Sequence, residues 1–547
     1  MTDLAAEAGA LIDLTQVAFT APGSRLLVMA GPDGWLRVST SQYERYFEEC
    51  LLLERLGVVG PDGRPLPVSS VLPHRIEFGG AATLCLAGEA LSLGGDAGLE
   101  VVYRTASGLT GRLPLEQGCR LSWPVQDLRV VAEPDHAGDL ERARAQWRAW
   151  FARCPVVRAD LQPMAALCWW VLGANTLHLP TTGDARAVVP SRLGYVALWQ
   201  WDSYFIALGL RHGDPALARE QLSLVLRFPG EDGQLPDVVH DFGVLASSDD
   251  LPPGDLARLH ETGSMAEGVR VPLTKPPLTA WAIRKVMEAE PSSGIAEKWL
   301  DSLLPTVLAS QEWWFEASDH DGDGLPDYAH PYSSGLDNSP VFDGVLPVAT
   351  PELAAYLIRQ DELLADWLAE RDPAAAGRCR KRAERTLGLL LERWDGAAGV
   401  FRAWAEDRPV AADTVLGLLP LFTGKLPAEV VESLLATLDD PARYATEWPV
   451  PTVSAADPAF DPERMWRGPV WLCINRLLIE GLAASGHPER ARELTERTLA
   501  MVISGGGPHE YFNPHTAARP PRAVTMFSWS AALYLDLAVG VSEEGDG

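Results

Sequence analysis

The chain is poor in cysteine and has no pairing pattern for the seven it carries. Cys50, Cys85, Cys119, Cys154, Cys168, Cys379 and Cys473 are scattered over 547 residues without a CxxC spacing, which excludes a zinc ribbon or redox dithiol and fits buried thiols in a reducing compartment. Positive charge is also short. Asp and Glu number 74 against 46 Lys and Arg, a formal charge of −28, so nucleic acid and anionic membranes are not expected partners. No apolar run has the length to span a bilayer. The opening segment lacks a basic stretch followed by a continuous apolar core, so no secretory signal is read and the cytoplasm is the expected compartment. There is no GxSxG nucleophile elbow and no phosphate-cradling loop with a lysine. His240 and His509 have no partner at metal-ligand spacing, so no metal is expected there.

What remains is the composition of a large globular protein, 47% hydrophobic and 22% charged, with a length that implies more than one core. Tryptophan is conspicuous, 19 copies against 14 Phe and 11 Tyr. Indole rings fill cores and also stack on the apolar faces of sugars. A small, neutral carbohydrate therefore fits the composition better than a polyanion, and association into a homo-oligomer is left open.

From Ser24 to Val131, short alternating runs such as Leu99-Glu100-Val101-Val102-Tyr103-Arg104 are punctuated by turn residues, as in Gly31-Pro32-Asp33-Gly34 and Gly60-Pro61-Asp62-Gly63. That pattern predicts a β-sandwich domain over 1–135. A charged amphipathic stretch then predicts a linker helix within 136–160. From 161 to 547 the pattern is helical, with twelve predicted helices near 162–178, 202–212, 214–228, 275–291, 295–317, 351–370, 373–394, 410–421, 427–437, 467–485, 487–504 and 523–541. Six helical hairpins can close into an (α/α)6 toroid, a mainly α catalytic domain preceded by the smaller sandwich. Long loops at 229–274, 318–350 and 438–466 are where function is expected.

Two acidic residues stand out. Asp202 follows Trp199 and Trp201 and precedes Tyr204 and Phe205. Alone it reads as a helix cap. Its aromatic setting offers a second reading, because apolar walls raise a carboxyl pKa toward that of a general acid. Glu510 sits in Gly505-Gly506-Gly507-Pro508-His509-Glu510-Tyr511-Phe512-Asn513-Pro514, a loop rather than a helix face. Alone it reads as a surface acid.

Six segments in one order change the weight of both. WDSYFIALGL (201–210), GQLPD (233–237), SGLDNSPVFD (334–343), WRGPVW (466–471), HEYFNP (509–514) and FSWSAA (527–532) resemble glycoside hydrolase family 63 and its relatives, mannosylglycerate and glucosylglycerate hydrolases among them. The resemblance runs through roughly residues 165–541, nearly all of the helical region. It implies an exo-acting, inverting α-glycosidase of small α-glucosides or α-mannosides, with Asp202 as general acid and Glu510 as general base. Inversion needs two carboxyls about 6.5–9.5 Å apart, one protonated and one ionised to activate water. The matched positions further suggest Trp199, Trp201, Trp466, Trp471 and Trp529 as sugar-facing walls, and Gln234, Asp337, Asn338 and Arg467 as polar contacts. Arg467 has the alternative of pairing with a carboxylate, and Asp337 of capping a turn. A substrate carboxylate would call for a cation in the neighbouring subsite, for which Arg192, Arg270 and Lys275 qualify.

No cofactor is expected. Asp319, Asp321 and Asp323 alternate like the first half of a calcium loop, but position twelve would be His330 rather than glutamate, so an Asx-rich turn is the first reading. Competing functions are a trehalase-like or oligosaccharide α-glucosidase, a sugar-binding protein without turnover, and a phosphorolytic enzyme. Retention of two carboxyls disfavours the last two.

Overall fold

The computed structural model describes residues 3–124, 127–132, 134–251 and 270–545. Contacts divide the chain into two compact units, Met1–Ala197 with Val524–Ala531, and Leu198–Ala523 with Ala532–Gly547.

In the first unit, eleven antiparallel strands make the expected sandwich. They are β1 (Leu26–Ala30), β2 (Leu36–Thr40), β3 (Leu51–Val59), β4 (Val68–Leu72), β5 (Arg75–Phe78), β6 (Ala82–Leu86), β7 (Ala90–Gly95), β8 (Glu100–Thr105), β9 (Thr110–Pro114), β10 (Cys119–Ser122) and β11 (Arg129–Ala132). One sheet runs β1-β2-β3-β8-β9 and the other β11-β10-β7-β6-β5-β4. Alternate residues such as Val28, Val38, Leu84, Leu93 and Val101 are fully buried, as a two-layer sandwich requires.

Three helices belong to this unit, α1 (Leu4–Ala10), α2 (His136–Phe151) and α3 (Gln162–Ala174). The unit therefore extends well past the boundary expected near 135–160. The reason is a tryptophan lock: Trp150 and Trp169 stack with centroids 4.8 Å apart. Each indole donates to the other's carbonyl, Trp150 Nε1 to Trp169 O at 2.8 Å and Trp169 Nε1 to Trp150 O at 2.9 Å. The helix read as a linker is thus packed on its successor.

The second unit is built from α4 (Gln200–Leu210), α5 (Pro215–Val225), α6 (Thr279–Glu288), α7 (Ser293–Ala317), α8 (Pro351–Leu368), α9 (Pro373–Glu392), α10 (Ala428–Leu438), α11 (Leu472–Ala484) and α12 (Pro488–Gly505). The last helix, α13 (Ser528–Gly545), begins in the first unit and continues into this one. Contacts run α4 to α6 to α8 to the short helix Leu419–Thr423 to α11. Around this ring, α4 also meets α13, where the Gly209 backbone lies against Ala532. Composition sorts inner from outer members. Every residue of α4 is buried, the mark of a helix surrounded by protein, whereas α9 buries a single stripe through Ala375, Cys379, Ala383 and Leu390. The fold is a β-sandwich followed by an (α/α)6 toroid.

One ring member departs from the reading. Residues 410–421 do not form an α-helix but two 3₁₀ turns, Val415–Gly417 and Leu419–Thr423. Pro420 has no N–H to give to the carbonyl four residues back, and in a regular helix its ring would clash with that carbonyl.

Beside the C-terminal end of α4, Asp536 ties α4, α11 and α13 together. It accepts from Arg211 Nη2 at 2.9 Å, lies 2.8 Å from His212 Nε2, and accepts from Arg476 Nε at 2.9 Å. These cations hold its carboxyl well below the usual range despite burial. Removing one partner of a buried ion network costs more than the network contributes net. Asp536→Asn is expected to destabilise the protein by roughly 3 kcal/mol, read as a lower denaturant midpoint.

Candidate active site

The N-terminal ends of the same inner helices gather the acidic residues. At the start of α4, Trp199 occupies the cap position and no side chain caps the helix. The helix begins two residues earlier than expected, so Asp202 is an interior residue of the first turn and the capping role does not apply. It is almost fully buried. Desolvation raises its carboxyl well above the ordinary value, opposed by the Lys275 ammonium and reinforced by the charges of Asp237 and Glu510.

Gln200, the first residue of α4, fastens two other segments to this end. Its N–H donates to Asp237 O at 3.0 Å, and its Oε1 accepts from Lys275 N at 3.1 Å. Lys275 Nζ then lies 3.0 Å from Asp237 Oδ1 and donates to Tyr332 O at 2.5 Å. Both charged side chains are buried. Burial would lower the Lys275 pKa, but Asp237, Asp337 and Asp202 raise it above normal.

Asp337 arrives on the 318–350 loop through a tight turn. Gly335 has φ +73°, and a Cβ there would overlap the Trp201 ring, so only glycine allows both the turn and the close approach. Asp337 is half-buried, with Oδ1 shut off from water and without a hydrogen-bond partner. Desolvation pushes its carboxyl up to about 7, against the pull of Lys275.

Glu510 is placed by backbone pairing. Val470 and Phe512 exchange hydrogen bonds of 2.8 and 3.0 Å, which lays the 509–514 segment beside the 466–471 segment. His509 Nε2 lies 2.9 Å from Gly505 O, anchoring the turn after α12. An aromatic wall joins these parts: Trp201 to Trp466 at 5.9 Å, Trp466 stacked on Trp471 at 3.6 Å, and Trp471 to Tyr511 at 4.8 Å. Asp202, Asp237, Asp337 and Glu510 thus gather at one end of the toroid around the buried Lys275 ammonium.

The chain matches the family described as the mannosylglycerate hydrolase MGH1-like glycoside hydrolase domain over residues 195–530. It belongs to that family. A mannosylglycerate hydrolase of Thermus thermophilus is 30% identical over 406 residues, 63% of this chain and 95% of that protein. The glucosylglycerate hydrolase of Mycolicibacterium hassiacum is 26% identical over 452 residues, covering 68% and 97%. A crystal structure of the family 63 mannosylglycerate hydrolase from another Thermus thermophilus strain, in complex with glucose, is 27% identical with a TM-score of 0.55, covering 68% of this chain and 98% of that one. This MGH1-like protein is therefore a glycoside hydrolase, and the expected inverting α-glycosidase chemistry on small glycosides agrees with these relatives.

Several expected contacts of this MGH1-like hydrolase are occupied within the protein. Gln234 clips a loop, its Nε2 donating to Ala246 O at 2.7 Å and Leu273 O at 2.9 Å. Asn338 Oδ1 accepts from Trp466 N at 2.9 Å. Arg467 pairs with Asp343, the alternative foreseen for it. Trp466 and Trp471 are each 1% exposed and Trp201 is 3% exposed, so they back the site rather than offer a free face, whereas Trp199 keeps partial exposure. Trp529 lies in the first compact unit, edge-on to Phe527 at 5.3 Å. Arg192, also in that unit, is buried and commits its guanidinium to the carbonyls of Ser24, Ala21, Ala174 and Thr176. Arg270 is over half exposed, with Asp249 at 3.8 Å. Residues 252–269 of the 229–274 loop lie outside the described residues.

Sequence reasoning missed Asp237, Gln200 and Tyr332. Asp237 ends a matched motif, which was the available signal; Gln200 and Tyr332 act through backbone contacts that no residue type announces. The three aspartates of the 319–323 turn bring ligand atoms within 4.8 Å of one another. Each accepts a backbone N–H, from Gly324, Asp323 and Leu325, and Asp323 pairs with Arg393, as an Asx-rich turn does.

Gly335→Ala is expected to lower kcat/KM roughly 100-fold by pushing Trp201 and Asp337 out of register. Steady-state kinetics together with circular dichroism of the variant check this, the fold being retained.

Proposed function

We propose that this hydrolase cleaves a small α-glucoside or α-mannoside from its non-reducing end with inversion, glucosylglycerate and mannosylglycerate being the first substrates to test. The observation that carries the reading is the set of carboxyls in unlike surroundings at one end of the toroid, with Glu510 in a backbone-paired loop, Asp202 raised well above the ordinary carboxyl value by burial and Asp337 raised to about 7. Glu510 serves as the base that activates water. Its neutral counterpart donates a proton to the leaving oxygen.

Asp202 was the expected acid, and one observation favours Asp337 instead. An acid must reach the leaving oxygen and regain its proton each turnover, which suits a pKa near the working pH. Asp337 is partly accessible, poised at about 7, and has an oxygen without a partner. Asp202 is almost fully buried, and there a protonated carboxyl serves as a donor to a sugar hydroxyl.

Glu510→Gln is expected to reduce hydrolysis by roughly two to four powers of ten, and proton NMR at early times should show the β-anomer released from an α-linked substrate. Initial α-anomer would overturn inversion. An α-glycosyl fluoride separates the two acids, because fluoride leaves without protonation. Asp337→Asn should keep fluoride turnover within about tenfold of wild type while losing the natural substrate; the same pattern in Asp202→Asn would return the acid role to Asp202. For wild type, kcat/KM should fall as pH rises through about 7, where Asp337 loses its proton.

A further inference from the structure

Lys275 is neither exposed nor free to meet a substrate carboxylate. Its side chain is 5% exposed, its Nζ is held between Asp237 Oδ1 and Tyr332 O, and its backbone N–H is bound by Gln200. Asp237, its partner, is 4% exposed at the side chain, with its backbone carbonyl taken by the Gln200 N–H. A buried ion pair replaced by apolar side chains is often no less stable, so stability alone does not explain placing one here. Its neighbours supply the reason.

We infer that Lys275 and Asp237 form a positioning pair for the reacting carboxyls, the ammonium and the carboxylate together setting the field in which Asp202 and Asp337 hold or release a proton. This rests on the hydrolytic reading above. The charged and titratable groups acting on the cluster are Asp202 on α4, Asp237 at the end of the 233–237 turn, Asp337 on the 318–350 loop and Glu510 on the 509–514 loop. His330 also feels Lys275, and burial keeps its pKa low, at about 3, so that it is neutral. Cys473 feels Asp202 and is held as a thiol by burial. The two members of the pair act in opposite senses. Lys275 draws both aspartates toward ionisation, and Asp237 pushes them toward the protonated form.

Opposite action gives a test that a merely structural role does not pass. In Lys275→Met the acid keeps its proton to higher pH, and the basic limb of the kcat/KM profile should move up by at least about half a pH unit. In Asp237→Asn the limb should move down by a similar amount. Lys275→Arg should restore the wild-type limb in part, and the double variant Lys275→Met/Asp237→Asn should return toward it. The double variant is the arm that guards against a lone buried charge unfolding either single variant, since it buries no unpaired ion. Should a single variant fail to fold, a double-variant limb displaced by more than about half a unit overturns the opposed action, and one near wild type upholds it. Shifts of the same sign, or limbs within about 0.2 units of wild type in folded single variants, overturn the pair's role while leaving hydrolysis standing. Absence of hydrolysis by wild type on every α-glycoside tried overturns the reading beneath it instead.

Discussion

A buried ammonium among four carboxyl groups is a costly arrangement, and the rest of the molecule can be understood as what makes it tolerable. An ion withdrawn from water must be compensated by fixed partners. Lys275 has Asp237 and a backbone carbonyl, while burial shifts Asp202 and Asp337 toward their protonated forms, Asp337 to about 7. The result is one site with neutral and ionised carboxyls side by side, which is what hydrolysis with inversion asks of a protein.

Holding that arrangement is the work of the inner ring. Asp202 is on a helix surrounded by protein on every face, so its first turn cannot shift without disturbing the whole ring. The loops are laced to it by short polar contacts: Gln200 to Asp237 and Lys275, Asn338 to Trp466, Val470 to Phe512. The tryptophans supply volume and low polarity. Trp466 and Trp471 are stacked on each other and buried, whereas Trp199 keeps partial exposure.

At the other end of the ring the balance of charge is reversed. Arg211, which follows the last residue of α4, and Arg476 of α11 converge on Asp536. Here Asp536 and Glu480 are held below the usual range by their counter-ions, Glu480 at about 2 with Arg476 and Lys285 beside it. One end of the toroid is thus electrostatically saturated and serves the fold, while the other is left short of positive charge and serves chemistry.

Much of this could be read from the order of residues alone. Alternating and helical periodicities located the strands and nearly every helix, since which face of an element is buried is written in its spacing. Motif order named the glycoside hydrolase. It could not say that residues 410–421 would yield to Pro420, nor that the tryptophans of α2 would carry the first unit on to Ala197, because each depends on partners remote in sequence. Gln234, Asn338 and Arg467 had the chemistry of sugar ligands, and only the tertiary structure showed their polar atoms engaged with Leu273, Trp466 and Asp343. Residue type fixes what a side chain is able to do. Protonation state and partner are properties of the surroundings, which exist only once α4, the stretches around Asp237 and Lys275, the 318–350 segment and the Glu510 loop have come together, and so the surroundings of each carboxyl were decided by the fold.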